Sequence, residues 1–412
     1  MNAAVQPVFM PLKSLDDALA ELLSHATPLA SVEEVSTFDA DGRVLVQDLI
    51  SSLQVPPHDN SSMDGYALRC ADLAAHVALP VSQRIAAGAS GSELAPMSVA
   101  RIFTGAPIPP GADAVVMQED CAVQADGAVR ITVPVQPGQW IRRAGEDVTR
   151  GAVVLSKGER LTPASLGLAA SIGMDKLAVA ARPRVALFST GDELVMPGDV
   201  APEHMAPGAI YNSNRFFLKA LLTRLGCEVS DLGIVPDQRQ ATMDALQQAA
   251  QHHDLILTSG GVSVGEEDHI KPAVQALGHL DLWQIAIKPG KPFAYGQVAG
   301  AHFIGLPGNP VSSFVTFLLL VRSFLLKLQG VADVATPSIA ARADFTWARA
   351  DKRREFLRVR RKPSGALELF SNQSSGVLTS AVWGDGLVDN PPGTTIVPGD
   401  VVRFIPFAEV LS

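Results

Sequence analysis

Apolar positions along the chain change their period several times, and each change marks a different kind of structure. Behind Ser14-Leu-Asp-Asp17, Leu15, Leu19, Leu22 and Leu23 recur at helical spacing, which predicts a short helix capped by Ser14 with acids in its first turn. From about residue 50 to 150 the helical period is lost. Short β-prone runs (Arg101-Ile-Phe, Ala114-Val-Val-Met, Val129-Arg-Ile-Thr-Val) sit between Pro and Gly turns, as in a small β domain. Thr162-Pro163 then predicts a new helix, with a capping hydroxyl followed by proline at the first position. The β block 51–150 therefore reads as an insertion into a helical first domain made of 1–50 and 151–182.

Residues 183–330 alternate apolar strands with helices. The strands are 184–190, 227–235, 254–259 and 302–306; the helices open at Asn212-Ser213-Asn214, run through Met243, Leu246 and Ala250, lie near 268–277, and follow Asn309-Pro310. Strands apolar throughout their length, separated by helices, imply a parallel sheet covered on both faces. From 331 to 412 the texture returns to short strands, including EFLRVRR, ALELFS and VVRFIPF. The expected class is multidomain α/β plus β: a central doubly wound, mainly parallel α/β domain, an inserted β domain, a helical first domain and a C-terminal β-barrel-like domain.

Composition narrows the partners. The chain has 412 residues, 47% apolar and 18% charged, a globular balance, and its length favours several domains. A formal net charge of −9 argues against broad nucleic-acid or anionic-membrane binding, so an anionic ligand needs locally placed cations. Cys70, Cys121 and Cys227 form no CxxC pair, which argues against a disulfide scaffold or a cysteine zinc site. The first residues lack a signal-peptide pattern, and the greasy stretch Ser312 to Leu328 is interrupted by Arg322 and Lys327. A soluble cytoplasmic protein is expected.

In open parallel sheets, ligands bind beyond the carboxyl ends of the strands. Four such ends carry chemistry here: Thr190-Gly191-Asp192-Glu193, Pro236-Asp237, Ser259-Gly260-Gly261-Val262-Ser263-Val264-Gly265 with Glu266, Glu267 and Asp268, and Leu306-Pro307-Gly308-Asn309-Pro310. Gly-rich loops that open helices bring backbone N–H groups close to phosphate oxygens. Ile287-Lys288-Pro289-Gly290-Lys291-Pro292 adds two lysines in a stiff turn. Singly, each has a plainer reading: Asp237 as a helix cap, the glutamates as solvated loop acids, the lysines as surface charge. Carboxylates repel phosphate by roughly 4 kcal/mol per pair about 4 Å apart near a surface. Acids and lysines on one rim make sense together if Mg²⁺ bridges carboxylate and phosphate while lysines neutralise the rest.

Six segments occur in one order: Ser62-Met63-Asp64-Gly65-Tyr66-Ala67, Thr104-Gly105-Ala106-Pro107-Ile108-Pro109, Ser189-Thr190-Gly191-Asp192-Glu193-Leu194, Ser259 to Gly265, Lys288-Pro289-Gly290-Lys291-Pro292 and Leu306 to Pro310. Together they resemble the MoeA family and the gephyrin E domain over about residues 10–410. The resemblance implies insertion of molybdate into adenylylated molybdopterin with Mg²⁺ and release of AMP. It also implies a homodimer whose cleft combines domains of both subunits. On that basis Asp64 and Thr104 would reach the cleft from the inserted domain, and Glu193, Asp237 and Asp268 would position Mg²⁺ and the phosphoanhydride. Lys288 and Lys291 would neutralise phosphate or molybdate. Ser259, Gly260, Gly261, Ser263, Gly265, Pro307, Asn309, Pro310, Arg358 and Ser375 would line the substrate site. An outward strand arginine is the plainer reading of Arg358. Transient contact with molybdopterin-handling proteins also follows from the resemblance.

Two positions depart from the family's pattern. Trp283-Gln284 lacks a lysine, and Gly384-Asp385-Gly386-Leu387 replaces an Ala-Asn-Gly-Leu run, so a less positive cleft is expected. Rival readings are the adenylyltransferase step and a non-enzymatic scaffold of the gephyrin type. Tungstate is a rival substrate because the two oxyanions are nearly the same size.

Overall fold

The computed structural model describes residues 12–73, 77–261 and 269–411. Its centre is a six-stranded sheet in the spatial order Glu228–Val235, Arg184–Thr190, Leu255–Ser259, Ala301–Leu306, Pro292–Val298, Gly278–Gln284. The first four strands are mutually parallel and the last two antiparallel. Alternate side chains of Arg184–Thr190 leave on opposite faces, as the pleat requires. Val185 and Leu187 pack with Leu218, Leu222 and Phe324, while Ala186 and Phe188 pack with Leu246, Ile270 and Val274. Helices thus cover both faces, which is why this strand and Leu255–Ser259 are apolar at nearly every position. The antiparallel edge pair is absent from the sequence reading. The helix Pro310–Leu328 is long and apolar enough to cross a bilayer, but its residues are buried in this domain's own core, and Phe317–Val321 winds as a π-helix.

The first region differs from its expected helical character. Helix Leu15–His25 has the predicted cap, with Ser14 Oγ accepting from Asp17 N at 3.0 Å. Its stripe of Leu15, Ala18 and Leu22 nevertheless packs into the core of the α/β domain. Backbone bonds from Lys13 N to Gln284 O and from Ala286 N to Lys13 O, both 2.8 Å, tether it there. What remains is mixed. Val32–Ser36 pairs antiparallel with Lys176–Ala180, Leu49–Ile50 pairs with Val153–Leu155, and one helix, Pro163–Ser171, is capped by Thr162. Those strands are too short for their alternation to stand out, and pairing across the insertion is what stabilises them.

Between them lies β structure. The strands Val81–Ile85, Val99–Ile102, Gly65–Leu68 and Ala114–Met117 form one sheet, and a three-stranded sheet packs beside it. Gly65 is required at its position, because a Cβ there would lie 1.8 Å from Val116 O. In the C-terminal region Arg354–Arg361, Gly386–Asn390, Val401–Pro406 and Ile339–Arg342 pair in succession. Leu367–Leu369 also pairs with Arg354–Arg361, and a bridge from Ala343 to Leu367 joins the two ends into a barrel-like ring. Ile287–Lys288, from the α/β region, adds to this sheet in parallel beside Arg354 and Glu355.

Candidate active site at the sheet rim

Register places the four parallel strand ends on one rim: Thr190 lies beside Val235, Ser189 beside Ser259, and Ser259 beside Leu306. The loops leaving them enclose a cleft of about 410 Å³. Of the expected residues, Glu193, Ser259, Gly260, Pro307, Asn309 and Pro310 line it, joined by Thr190, Tyr211, Asn212 and Asn214. Gly260 (φ +95°) turns the chain back across the sheet, where a Cβ would approach Thr190 O at 2.9 Å. Asn214, the first residue of helix Asn214–Arg224, ties three loops together: its Nδ2 donates to Ser259 Oγ and to Gly308 O, both at 2.7 Å. Gly260 N in turn donates to Leu306 O at 3.0 Å. Gly261 follows Gly260, half-buried, and Asp237 sits half-buried two residues beyond Val235 on the same rim. Ser263, Gly265 and Asp268 lie outside the described residues.

The expected charged residues are distributed differently. Lys291 is exposed beside Pro292. Lys288 turns toward the C-terminal region, where its Nζ lies 3.1 Å from Glu355 Oε1 and 3.2 Å from Asp351 Oδ2. Burial opposes its charged form, but the two acids outweigh that and hold its pKa above the ordinary lysine value. Arg358 is neither an open cleft residue nor an outward strand arginine: it is 1% exposed. Its guanidinium donates to Ser380 Oγ, Phe356 O and Ser374 O. Burial without a carboxylate pushes its pKa down to about 10. Next to that loop, Ser375 O accepts from Val311 N at 2.9 Å, so Arg358 shapes the segment that meets the helix opening at Pro310. Asp64 and Thr104 form their own exposed pair. Thr104 N and Oγ1 each donate to Asp64 Oδ1 at 2.8 Å, and these bonds hold its carboxyl below the usual range. Among the described residues no hydrogen bond or ion pair joins either of them to the cleft.

The geometry has a counterpart in known families. Residues 13–173 match the MoeA N-terminal region (domain I and II), 186–327 a probable molybdopterin binding domain, and 340–407 the MoeA C-terminal region (domain IV). A Haemophilus influenzae protein named molybdopterin molybdenumtransferase is 43% identical over 84% of this chain and 85% of its own length. The chain belongs to the MoeA family. A Mycobacterium tuberculosis protein named molybdopterin molybdenumtransferase 2 is 36% identical over 93% of this chain and 94% of its own. A solved MoeA structure from Pyrococcus horikoshii superposes with a TM-score of 0.83 at 28% identity, covering 96% of this chain and 99% of that one.

Within this MoeA-family chain, reading the sequence missed Asn214 as a site residue, taking it only as part of a helix start. An Asn that opens a helix directly above a strand-end rim is the signal that could have revealed it. Of the two departures, Asp385 serves the barrel, accepting from Arg361 N at 2.8 Å. Gln284 lies at the sheet edge opposite Pro292, and next to it Lys13 Nζ sits 4.4 Å above the Trp283 ring. Among the described residues no cluster of three or more His, Cys, Asp or Glu side chains could hold a metal alone. The cleft lining does include the Glu193 carboxylate, a hard-oxygen donor of the kind that suits Mg²⁺ shared with a ligand phosphate.

Proposed function

We propose that this enzyme inserts molybdate into adenylylated molybdopterin and releases AMP in a Mg²⁺-assisted step. The observation that carries the reading is the convergence of Glu193, Gly260 and the Pro307–Pro310 loop on one rim of a MoeA-family fold. Glycine-loop N–H groups other than that of Gly260, which donates to Leu306 O, suit a phosphoanhydride, and Asn214 holds the loops at fixed spacing, so that bound groups meet in a set orientation. Glu193, with Asp237 and Asp268, would hold Mg²⁺, which when bound supplies charge neutralisation at the phosphate. Neither a Ser-His-Asp triad nor a Cys-His pair is required, because the ligand's own sulfurs are the nucleophiles.

Asp64 and Thr104 are exposed, and among the described residues no hydrogen bond or ion pair joins them to their own chain's cleft, which supports a homodimer in which this pair completes the site of a second copy. A cytoplasmic location goes with this reading. The test is incubation of the purified protein with adenylylated molybdopterin, Mg²⁺ and molybdate while AMP is measured. AMP release that depends on molybdate is expected. Turnover only with ATP and unmodified molybdopterin would point to the adenylyltransferase step instead. Asp268→Ala should stay folded by circular dichroism yet stop AMP release; full turnover would remove Asp268 from the site.

A further inference from the structure

Lys288 is the cation nearest in sequence to the cleft wall at Pro292 that is also fixed by strand pairing, since Ile287–Lys288 is held in register with Arg354 and Glu355. Its two acids are partnered very differently. Glu355 is 1% exposed and accepts from Trp347 Nε1 at 2.7 Å and Asn390 Nδ2 at 3.4 Å besides Lys288. A buried carboxylate stripped of its cation is strongly destabilising, so the Lys288–Glu355 bond should persist. Asp351 is more exposed and has a second cation of its own. Arg353 donates to it through its backbone N (3.0 Å), Nε (3.1 Å) and Nη2 (3.1 Å). Losing Lys288 would leave Asp351 fully paired. The contact that can open at little cost is therefore Lys288–Asp351, and the lysine side chain is 41% exposed, free to turn.

We propose that Asp351 is a latch: a positioning residue that holds Lys288 in reserve and releases it, still anchored on Glu355, to an incoming oxyanion. This rests on the proposed reaction, whose anionic ligands Lys288 would serve by turning away from Asp351, and the oxyanion is either molybdate or the adenylyl phosphate. Asp351→Asn keeps an Oδ1 acceptor for Arg353 N and Nε, gives up the Oδ2 that Arg353 Nη2 shares with Lys288, and removes the charge that competes for Lys288.

The experiment is calorimetric titration of the full-length protein with molybdate alone and, separately, with AMP alone. Four proteins are compared: wild type, Asp351→Asn, Lys288→Met and the double variant. Exposed ion pairs contribute little, so the expected gain in Asp351→Asn is a tightening of up to about fivefold for one of the two anions. The anion that gains identifies the one Lys288 serves. The gain should vanish in the Lys288→Met background, a non-additivity that a purely structural role would not produce. Unchanged or weaker binding by Asp351→Asn overturns the latch. So does a gain that persists without Lys288, which would mean that the carboxylate merely repels the anion. Binding by Lys288→Met as tight as wild type, or uptake of neither anion by wild type, removes Lys288 from anion recognition altogether. Molybdate-dependent AMP release would still stand or fall separately.

Discussion

The rim of the central sheet and the Asp64–Thr104 turn of the inserted β region are both built to hold polar groups in place, but by different means. At the rim, four parallel strand ends deliver neutral donors and acceptors to one cleft, and Asn214 binds their loops together. In the β region, Gly65 lets two strands approach closely, and a single threonine fixes one carboxylate. The first arrangement supplies shape, with Glu193 its lining acid. The second fixes a charge outside that cleft's described lining. On the proposed reading, this fold separates the ligand's seat from much of the charge that acts on it.

The comparison can be broken at either end. Glu193→Gln should have the largest effect, lowering AMP release about 100-fold, as for loss of one electrostatic partner of a transition state, with an unchanged melting curve. Equal turnover would move the chemistry elsewhere on the rim. Asn214→Ala removes the donor to the buried Ser259 Oγ, which still bonds Pro307 O, and to the exposed Gly308 O, and such hydrogen bonds contribute about 0.5–1.5 kcal/mol each; denaturant unfolding should report the loss, and AMP binding should weaken with it. Thr104→Ala acts on the other region. Asp64 is held ionised by the Thr104 backbone N–H first and its hydroxyl second. Its depressed pKa keeps its favourable contribution present above the ordinary carboxylate range, and that contribution is lost as pH falls through the folded value. Removing the hydroxyl should move the acid limb of the pH–rate profile to higher pH; an unmoved limb would detach Asp64 from turnover. Smallest is Gln284→Lys, which should tighten molybdate binding slightly by calorimetry, with Lys13 nearby limiting the gain.

Much of the rim was legible in the sequence because topology decides it. Apolar strands separated by helices dictate a parallel sheet, and parallel strands must end together. The strand 184–190 and the Ser14 and Thr162 caps follow from local patterns alone. The rest depended on distant partners. The place of helix Leu15–His25 was decided by tethers to residues 284 and 286. Arg358 was expected to line the substrate site, with an outward strand arginine as the plainer reading, but its strand is buried on both sides over Glu355–Val359, so alternation gave no sign of which way it points. Lys288 read as a free cation because Asp351 and Glu355, more than sixty positions later in the chain, had no visible tie to it.

The division of labour between regions is tested most directly by mixing. Glu193→Gln and Asp64→Asn proteins, each expected to be nearly inactive, would be unfolded together, refolded and assayed for AMP release. If each cleft is completed by the second copy, half of the randomly formed dimers are hybrids and half of their sites are intact, so about a quarter of wild-type activity should return. A mixture no more active than its two parents would contradict the account.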